Sequence, residues 1–382
     1  RRTLLPGGHR LREDLLLRAY TAKSPRLVVE TLGGVSLPPP SAAREADALE
    51  VHRTVAAADP TRVESYRAIR DLCLLAGDED GAWCAAGALT VLGRATEDEK
   101  AAFELRRQPT LRLRRDTLPP DGYVQWIRDD GATEGIARVL SLLYGPLAPL
   151  LPLKQPADLG LDESDRVDLE GRTLFAGMAQ AASRVFGVRL PRVYHAKGRA
   201  GFAKAAFNPP ALVVGDDVLT AWRGKELRFA LGRAAVAFAP GHELAGVSDA
   251  AGIRLFFLAG LRIAFPDFQV PADAEGVEDL ADDLARRLSP AATAELRDVL
   301  TRFRQQKRAV DIQAFLAGVD RAAARAGLFL ANDIGVAAAQ LQEDALGLSD
   351  LEYGDRLVDL CAWSVSARHA ELRRAMLKPF GE

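Results

Sequence analysis

Ala211-Leu212-Val213-Val214-Gly215-Asp216-Asp217-Val218-Leu219, followed shortly by Lys225-Glu226-Leu227-Arg228-Phe229-Ala230-Leu231-Gly232, is the stretch on which the reading of the chain turns. A short apolar, β-branched run ending at a glycine reads as a strand, and the segment after it reads as a helix over 225–239. Working upstream, Arg192-Val193-Tyr194-His195 is a second β-like run, separated from the first by Gly-, Lys-, Asn- and Pro-rich turn material. Before it a helix is expected over Thr173–Phe186, ended by Gly187-Val188-Arg189-Leu190-Pro191. Downstream, helical segments follow at 251–264, 274–288, 291–307, 311–329, 332–346 and 354–376. The expected class is mainly α, an α+β arrangement with one small sheet.

The first part of the chain is helical without strands. One helical stretch, Leu11–Ala19, precedes Ser36-Leu37-Pro38-Pro39-Pro40, where successive prolines exclude helix and favour an extended linker. Amphipathic helices then occupy Ala43 to about Arg107. Val63, Tyr66, Ile69, Leu72 and Cys73 recur at helical steps, and Gly77-Asp78-Glu79-Asp80-Gly81 makes a turn into a helix holding Trp83, Ala86, Leu89 and Leu92. Two short helices joined in this way resemble one tetratricopeptide unit, with an ordinary helical hairpin as the other reading. Leu118-Pro119-Pro120-Asp121-Gly122 marks the next break, and helical patterns follow near Tyr123–Arg128 and Ile136–Leu143. Pro146, Pro149 and Pro152 exclude one continuous helix through the apolar run that follows. The expected divisions are therefore an N-terminal segment with a linker (1–42), tetratricopeptide-like hairpins (43–117), connecting helices (118–159) and a C-terminal domain (160–382).

Composition narrows the function classes. In 382 residues, 48% are hydrophobic and 27% charged, enough for two or three folded domains. With 50 basic against 52 acidic residues the net charge is -2, so nothing global draws the chain to nucleic acid or an anionic membrane. The basic clusters Arg106-Arg107, Arg112-Leu113-Arg114-Arg115 and Arg302-Phe303-Arg304-Gln305-Gln306-Lys307-Arg308 read as solvated helix faces or the rim of a protein interface. Cys73, Cys84 and Cys361 lie among apolar neighbours with no CxxC spacing and read as small core residues. The longest apolar run, around Leu255–Leu261, is flanked by Arg254 and Arg262 and is too short to span a bilayer. The chain opens Arg1-Arg2 without a secretion-signal pattern; it reads as the later portion of a longer protein, and a cytoplasmic setting is expected.

The order of helix, short strands and the strings at 211–219 and 225–232 resembles the zinc metallopeptidases of the CAAX-prenyl-endopeptidase kind. In those enzymes a strand of the type P-x-A-L-V-V-G-x-x-L-L precedes a helix of the type E-L-R-x-V-L-x-H-E-L-G-H. The resemblance covers roughly residues 160 to 345. It implies two histidines four residues apart binding zinc and a glutamate polarising water. In the same register the first histidine falls at Arg233, the glutamate at Ala234 and the second histidine at Ala237. A guanidinium repels a divalent cation, and methyl groups supply neither a lone pair nor a base. The family's third ligand, in a pattern like E-x-x-A-D-R-A-G-L, falls at Asp320 within Asp320-Arg321-Ala322-Ala323-Ala324-Arg325-Ala326-Gly327-Leu328, with Ala324 where a supporting Asp belongs. The packing part of that motif survives, and the metal-binding part is gone.

Other motifs lead nowhere catalytic. His242-Glu243-Leu244-Ala245-Gly246 begins like HExxH, but Gly246 removes the second imidazole, and Pro240-Gly241 places His242 in a loop or at a new helix start, with a solvated loop histidine as the plain reading. His9, His52, His195 and His369 stand singly, and there is no nucleophile elbow or phosphate-binding glycine loop. No catalytic, metal or cofactor residue is therefore expected. The leading expectation is a non-catalytic interaction or scaffold protein on a pseudo-peptidase fold, with unidentified protein partners, no nucleic acid and no membrane span. The alternatives are a hydrolase whose metal site has moved to His242, Glu243 and Asp249 or Asp320, and a structural subunit of a larger assembly.

Overall fold

The computed structural model describes residues 42–107, 111–306, 310–343 and 346–378; the expected helix at Leu11–Ala19 and the linker at 36–40 lie outside them. The described residues form two compact units. One runs up to Arg107 and takes in Cys361–Ala370; the other holds the residues from there to Leu360 and those from Glu371 onward.

The first unit contains α1 (Ala42–Ala58), α2 (Val63–Leu75), α3 (Glu79–Val91) and α4 (Glu97–Leu105), each packed on the next. Gly77, at φ +70°, turns the chain between α2 and α3, and the Asp78 side chain accepts from the Gly81 amide at 2.9 Å to cap α3. Thr96 and Glu99 form a reciprocal capping box that starts α4. The interior is apolar: Trp83 stacks on Phe103 with centroids 5.3 Å apart, and its Nε1 donates to the Phe103 carbonyl at 2.9 Å. Cys73, Cys84 and Cys361 are all buried thiols, and burial, with Asp78 second, pushes Cys73 up to about 12.

The second unit opens with a π-helical turn at Tyr123–Ile127 and α5 (Glu134–Leu147), then α6 (Leu174–Phe186). A three-stranded sheet follows, of β1 (Val193–His195), β2 (Phe202–Ala205) and β3 (Ala211–Val214), in the order β1-β3-β2. β1 runs parallel to β3 with Val193 opposite Leu212, and β2 runs antiparallel with Phe202 opposite Val214. Next come α7 (Asp216–Thr220), α8 (Gly224–Ala237), α9 (Ala250–Ala264), α10 (Val277–Arg287), α11 (Pro290–Gln305), α12 (Ile312–Ala331) and α13 (Ile334–Gln342). The last two helices, α14 (Tyr353–Ser364) and α15 (Ala367–Met376), divide between the units after Leu360 and Ala370.

The protein is thus mainly helical with one small mixed sheet, as the sequence leads one to expect. Three details differ. The turn material between the two expected strands holds β2, which the sequence hides because the strand is short, follows directly on Gly201 at φ +94°, and has Lys204 within its apolar pattern. α5 continues through Pro146 to Leu147 before a 3-10 turn takes over at Ala148. The segment expected as one helix over 354–376 is two, because the Ser366 hydroxyl caps α15 by accepting from the His369 amide at 3.2 Å.

α8 is the centre of the second unit. α6, α12 and α13 surround it, and its most extensive packing is against α12. The reason is local: a Cβ on Gly232 would stand 2.8 Å from the Ala326 carbonyl oxygen, and one on Gly327 would stand 2.8 Å from the Phe229 carbonyl oxygen. Each helix offers a glycine to the other's backbone, and the two axes approach more closely than side chains would allow.

Candidate functional site

The close approach of α8 and α12 brings together the two positions that the peptidase resemblance assigns to first and third metal ligands. Arg233 Nη2 donates to Asp320 Oδ1 at 2.7 Å, and each side chain is only 1% exposed. Asp320 Oδ2 accepts a second hydrogen bond from the Ser349 hydroxyl at 2.7 Å. Ala234 and Ala237, the positions to which the resemblance assigns the base and second histidine, are fully buried beside them. The carboxylate on α12 therefore faces a fixed cation and a hydroxyl. A charge buried this deeply is tolerated only when its partner is held at hydrogen-bonding distance, which this geometry achieves.

A second polar cluster lies where α8 ends. The Lys204 ammonium, carried in by β2, donates to the carbonyls of Ala237 at 3.0 Å, His242 at 3.3 Å and Ala245 at 2.6 Å. These include the last carbonyl of α8, at the negative end of the helix dipole. Burial pushes Lys204 down to about 7, with the Glu243 carboxylate pulling in the opposite direction. The ring of Phe238 also lies 4.7 Å from the ammonium.

His242 is not the solvated loop residue expected from Pro240-Gly241. It is buried, its Nδ1 lies 2.9 Å from the Val236 carbonyl, and its ring meets Phe315 edge-on at 6.0 Å. Burial, and then the Lys204 charge, hold it down at about 4, against the upward pull of the Val236 bond. It is a neutral imidazole built into the packing, and the sequence signal for that was the surrounding apolar residues Leu244 and Ala245. Glu243 folds back on its own loop, accepting from the Gly241 amide at 2.6 Å, and burial raises its pKa.

These residues do not form the relocated metal site. Asp249 caps α9 by accepting from the Gly252 amide at 2.8 Å, and Asp320 belongs to Arg233. Among the described residues no group of three or more His, Cys, Asp or Glu side chains is placed to hold one ion. Of the single histidines, His195 pairs with Asp216 at 2.6 Å on the exposed end of β1, while His52 and His369 are buried; His9 lies outside the described residues.

One further charged group was not anticipated from the sequence. On the far face of α12, Arg325 donates to Asp129 at 2.8 Å and to Asp359 at 3.1 Å, and Arg321 approaches both carboxylates at 3.7 Å. Burial raises the Asp359 pKa, and the Arg325 charge opposes that rise. Two arginines and two aspartates neutralise one another here, tying α12 to the loop at Asp129 and to α14.

No protein-family model, no curated protein and no solved structure matches this chain. Among the described residues no helix is long and apolar enough to cross a membrane.

Proposed function

We propose that the chain is a non-catalytic interaction protein built on a degenerate peptidase-like domain, with a buried ion pair standing where relatives of the CAAX-prenyl-endopeptidase kind would hold zinc. The observation that carries this reading is the 2.7 Å contact between Arg233 and Asp320, residues 87 apart in sequence that the resemblance aligned with two ligands of one metal. The register supplied the two positions, and the contact between them supports the reading. The substitution is chemically coherent: the guanidinium supplies the positive charge that the remaining carboxylate needs, and it does so without an open coordination position.

A second reading, a structural subunit of a larger assembly, draws on the burial of the same face. Arg233 is 1% exposed and both alanines are fully buried, so side chains fill the place where a peptide groove over α8 would lie. Both readings make this seam structural and put any recognition on other surfaces. Protein partners without a nucleic-acid role fit the near-balanced charge, and the three free thiols fit a reducing compartment such as the cytoplasm.

Elemental analysis of the purified protein tests the proposal, with no stoichiometric zinc expected and no peptide cleavage that a chelator abolishes. One zinc per chain, or chelator-sensitive cleavage, would overturn it.

A further inference from the structure

The second unit carries a cavity of about 610 Å³ where the chain leaves α9, within the range of small-ligand clefts. Phe265, Pro266 and Phe268 line it together with Arg297 and Arg304 of α11. The two arginines are a heptad apart, which puts them on the same helical face. Arg304 lays its guanidinium carbon 4.7 Å from the Phe265 ring centroid, and Arg297 Nε donates to the Ala264 carbonyl at 3.1 Å. Among the described residues neither guanidinium has a carboxylate partner, whereas Arg138 on the neighbouring helix is already paired with Glu295. Asp267 is the one acid in the lining, so two positive charges against one negative leave the cavity with a net charge of +1.

We propose that this cavity binds an acidic peptide segment of a partner protein, one that carries an aromatic or branched aliphatic side chain beside its carboxylates. The chemistry is specific on both counts. A guanidinium stacked on a ring keeps its edge N–H groups free to grip a carboxylate in a fork, and Phe265, Pro266 and Phe268 offer an apolar surface for the neighbouring side chain. Arg302-Phe303-Arg304, which the sequence marks as basic, gains a direction from the structure: Phe303 is buried, and Arg304 turns outward into the cavity. The occupant being a protein rests on the interaction-protein reading above, while the cavity's preference for anions stands on its own residues.

The test is fluorescence anisotropy with the whole chain and a labelled peptide of alternating glutamate and phenylalanine, against the same peptide with lysine for glutamate. Saturable binding of the acidic peptide is expected, weakened as salt rises, with little binding of the lysine peptide. Arg304→Glu should weaken it at least tenfold with the melting temperature unchanged, Arg297→Glu should weaken it as much while also losing the bond to the Ala264 carbonyl, and Arg286→Glu, on an exposed face of α10, should leave it unaltered. Absence of binding to the wild type, or equal binding by Arg304→Glu, would overturn the proposal. Equally tight binding of phenylacetate would overturn the peptide as occupant in favour of a small carboxylate. Zinc found in the same preparation would count against the pseudo-peptidase reading alone, since no cavity residue belongs to the α8–α12 seam.

Discussion

Arg233 and Arg304 are the same side chain used in opposite ways within one unit. On the seam between α8 and α12, Arg233 is closed in, and its charge is answered by Asp320 at 2.7 Å. At the edge of α11, Arg304 lies open to solvent against an aromatic ring, with no carboxylate answering it among the described residues. A charge bound inside a fold is part of that fold's stability and is costly to disturb; a charge left unanswered beside an apolar surface contributes little to stability and is available for recognition.

The largest expected effect follows from breaking the buried pair on one side. Asp320→Ala removes the carboxylate that Arg233 meets at 2.7 Å in a buried seam and should cost about 3–5 kcal/mol by denaturant unfolding. Arg233→Leu combined with Asp320→Ala should recover most of that loss, because removing both charges also removes the need to desolvate them. If the double variant is as unstable as the single one, packing rather than charge governs the seam.

Acid should act next. His242 titrates at about 4 in the fold against 6.5 when free, so the unfolded chain binds the proton first. Its contribution is fully present above pH 6.5 and is lost as pH falls toward 4, amounting to about 3 kcal/mol at 1.36 kcal/mol per unit. Glu243, raised by burial, works in the other direction and takes back part of it. His242→Gln should flatten the stability profile between those two pH values; an unchanged slope would assign the acid sensitivity to other groups.

Gly232→Ala should destabilise by about 1–3 kcal/mol by forcing α8 from the Ala326 carbonyl. Gly177→Ala, on α6 where a new Cβ meets nothing within 4 Å, should instead stabilise by about 0.5–1 kcal/mol. The opposite signs separate a glycine needed for close approach from one that is merely tolerated. Smallest of all, Arg304→Glu should move stability by no more than about 0.5 kcal/mol, despite its expected effect on peptide binding.

Much of this was legible from the residues. The apolar β-branched run at 211–214 fixed β3, and the helical periodicities fixed most of the helices around α8, because both follow from local pattern. Hidden in the sequence was β2, whose pairing depends on β3 being in place and whose Lys204 points toward the last carbonyl of α8 and two carbonyls of the loop after it. His242 was read by its neighbours Pro240 and Gly241 as exposed, since chain direction predicts the loop but not what the loop packs against, here Phe315. Arg233 stands out only through the resemblance, which puts a histidine at its position. That Asp320 would be its partner needed the helix crossing that Gly232 and Gly327 permit. The Arg325 network shows the same limit, joining residues 196 positions apart whose charges carry no sequence signal of being paired.

The seam's origin can be tested by rebuilding what the motif lacks. A variant carrying Arg233→His, Ala234→Glu, Ala237→His and Asp320→Glu restores the two imidazoles, the base and the longer third carboxylate on helices whose crossing already brings residues 233 and 320 together. Zinc bound per folded chain, measured by equilibrium dialysis beside the wild type, should be near one for the variant and near zero for the wild type. A folded variant that takes up no zinc, or a wild type that binds it as well, would contradict the view that the ion pair stands in a former metal site.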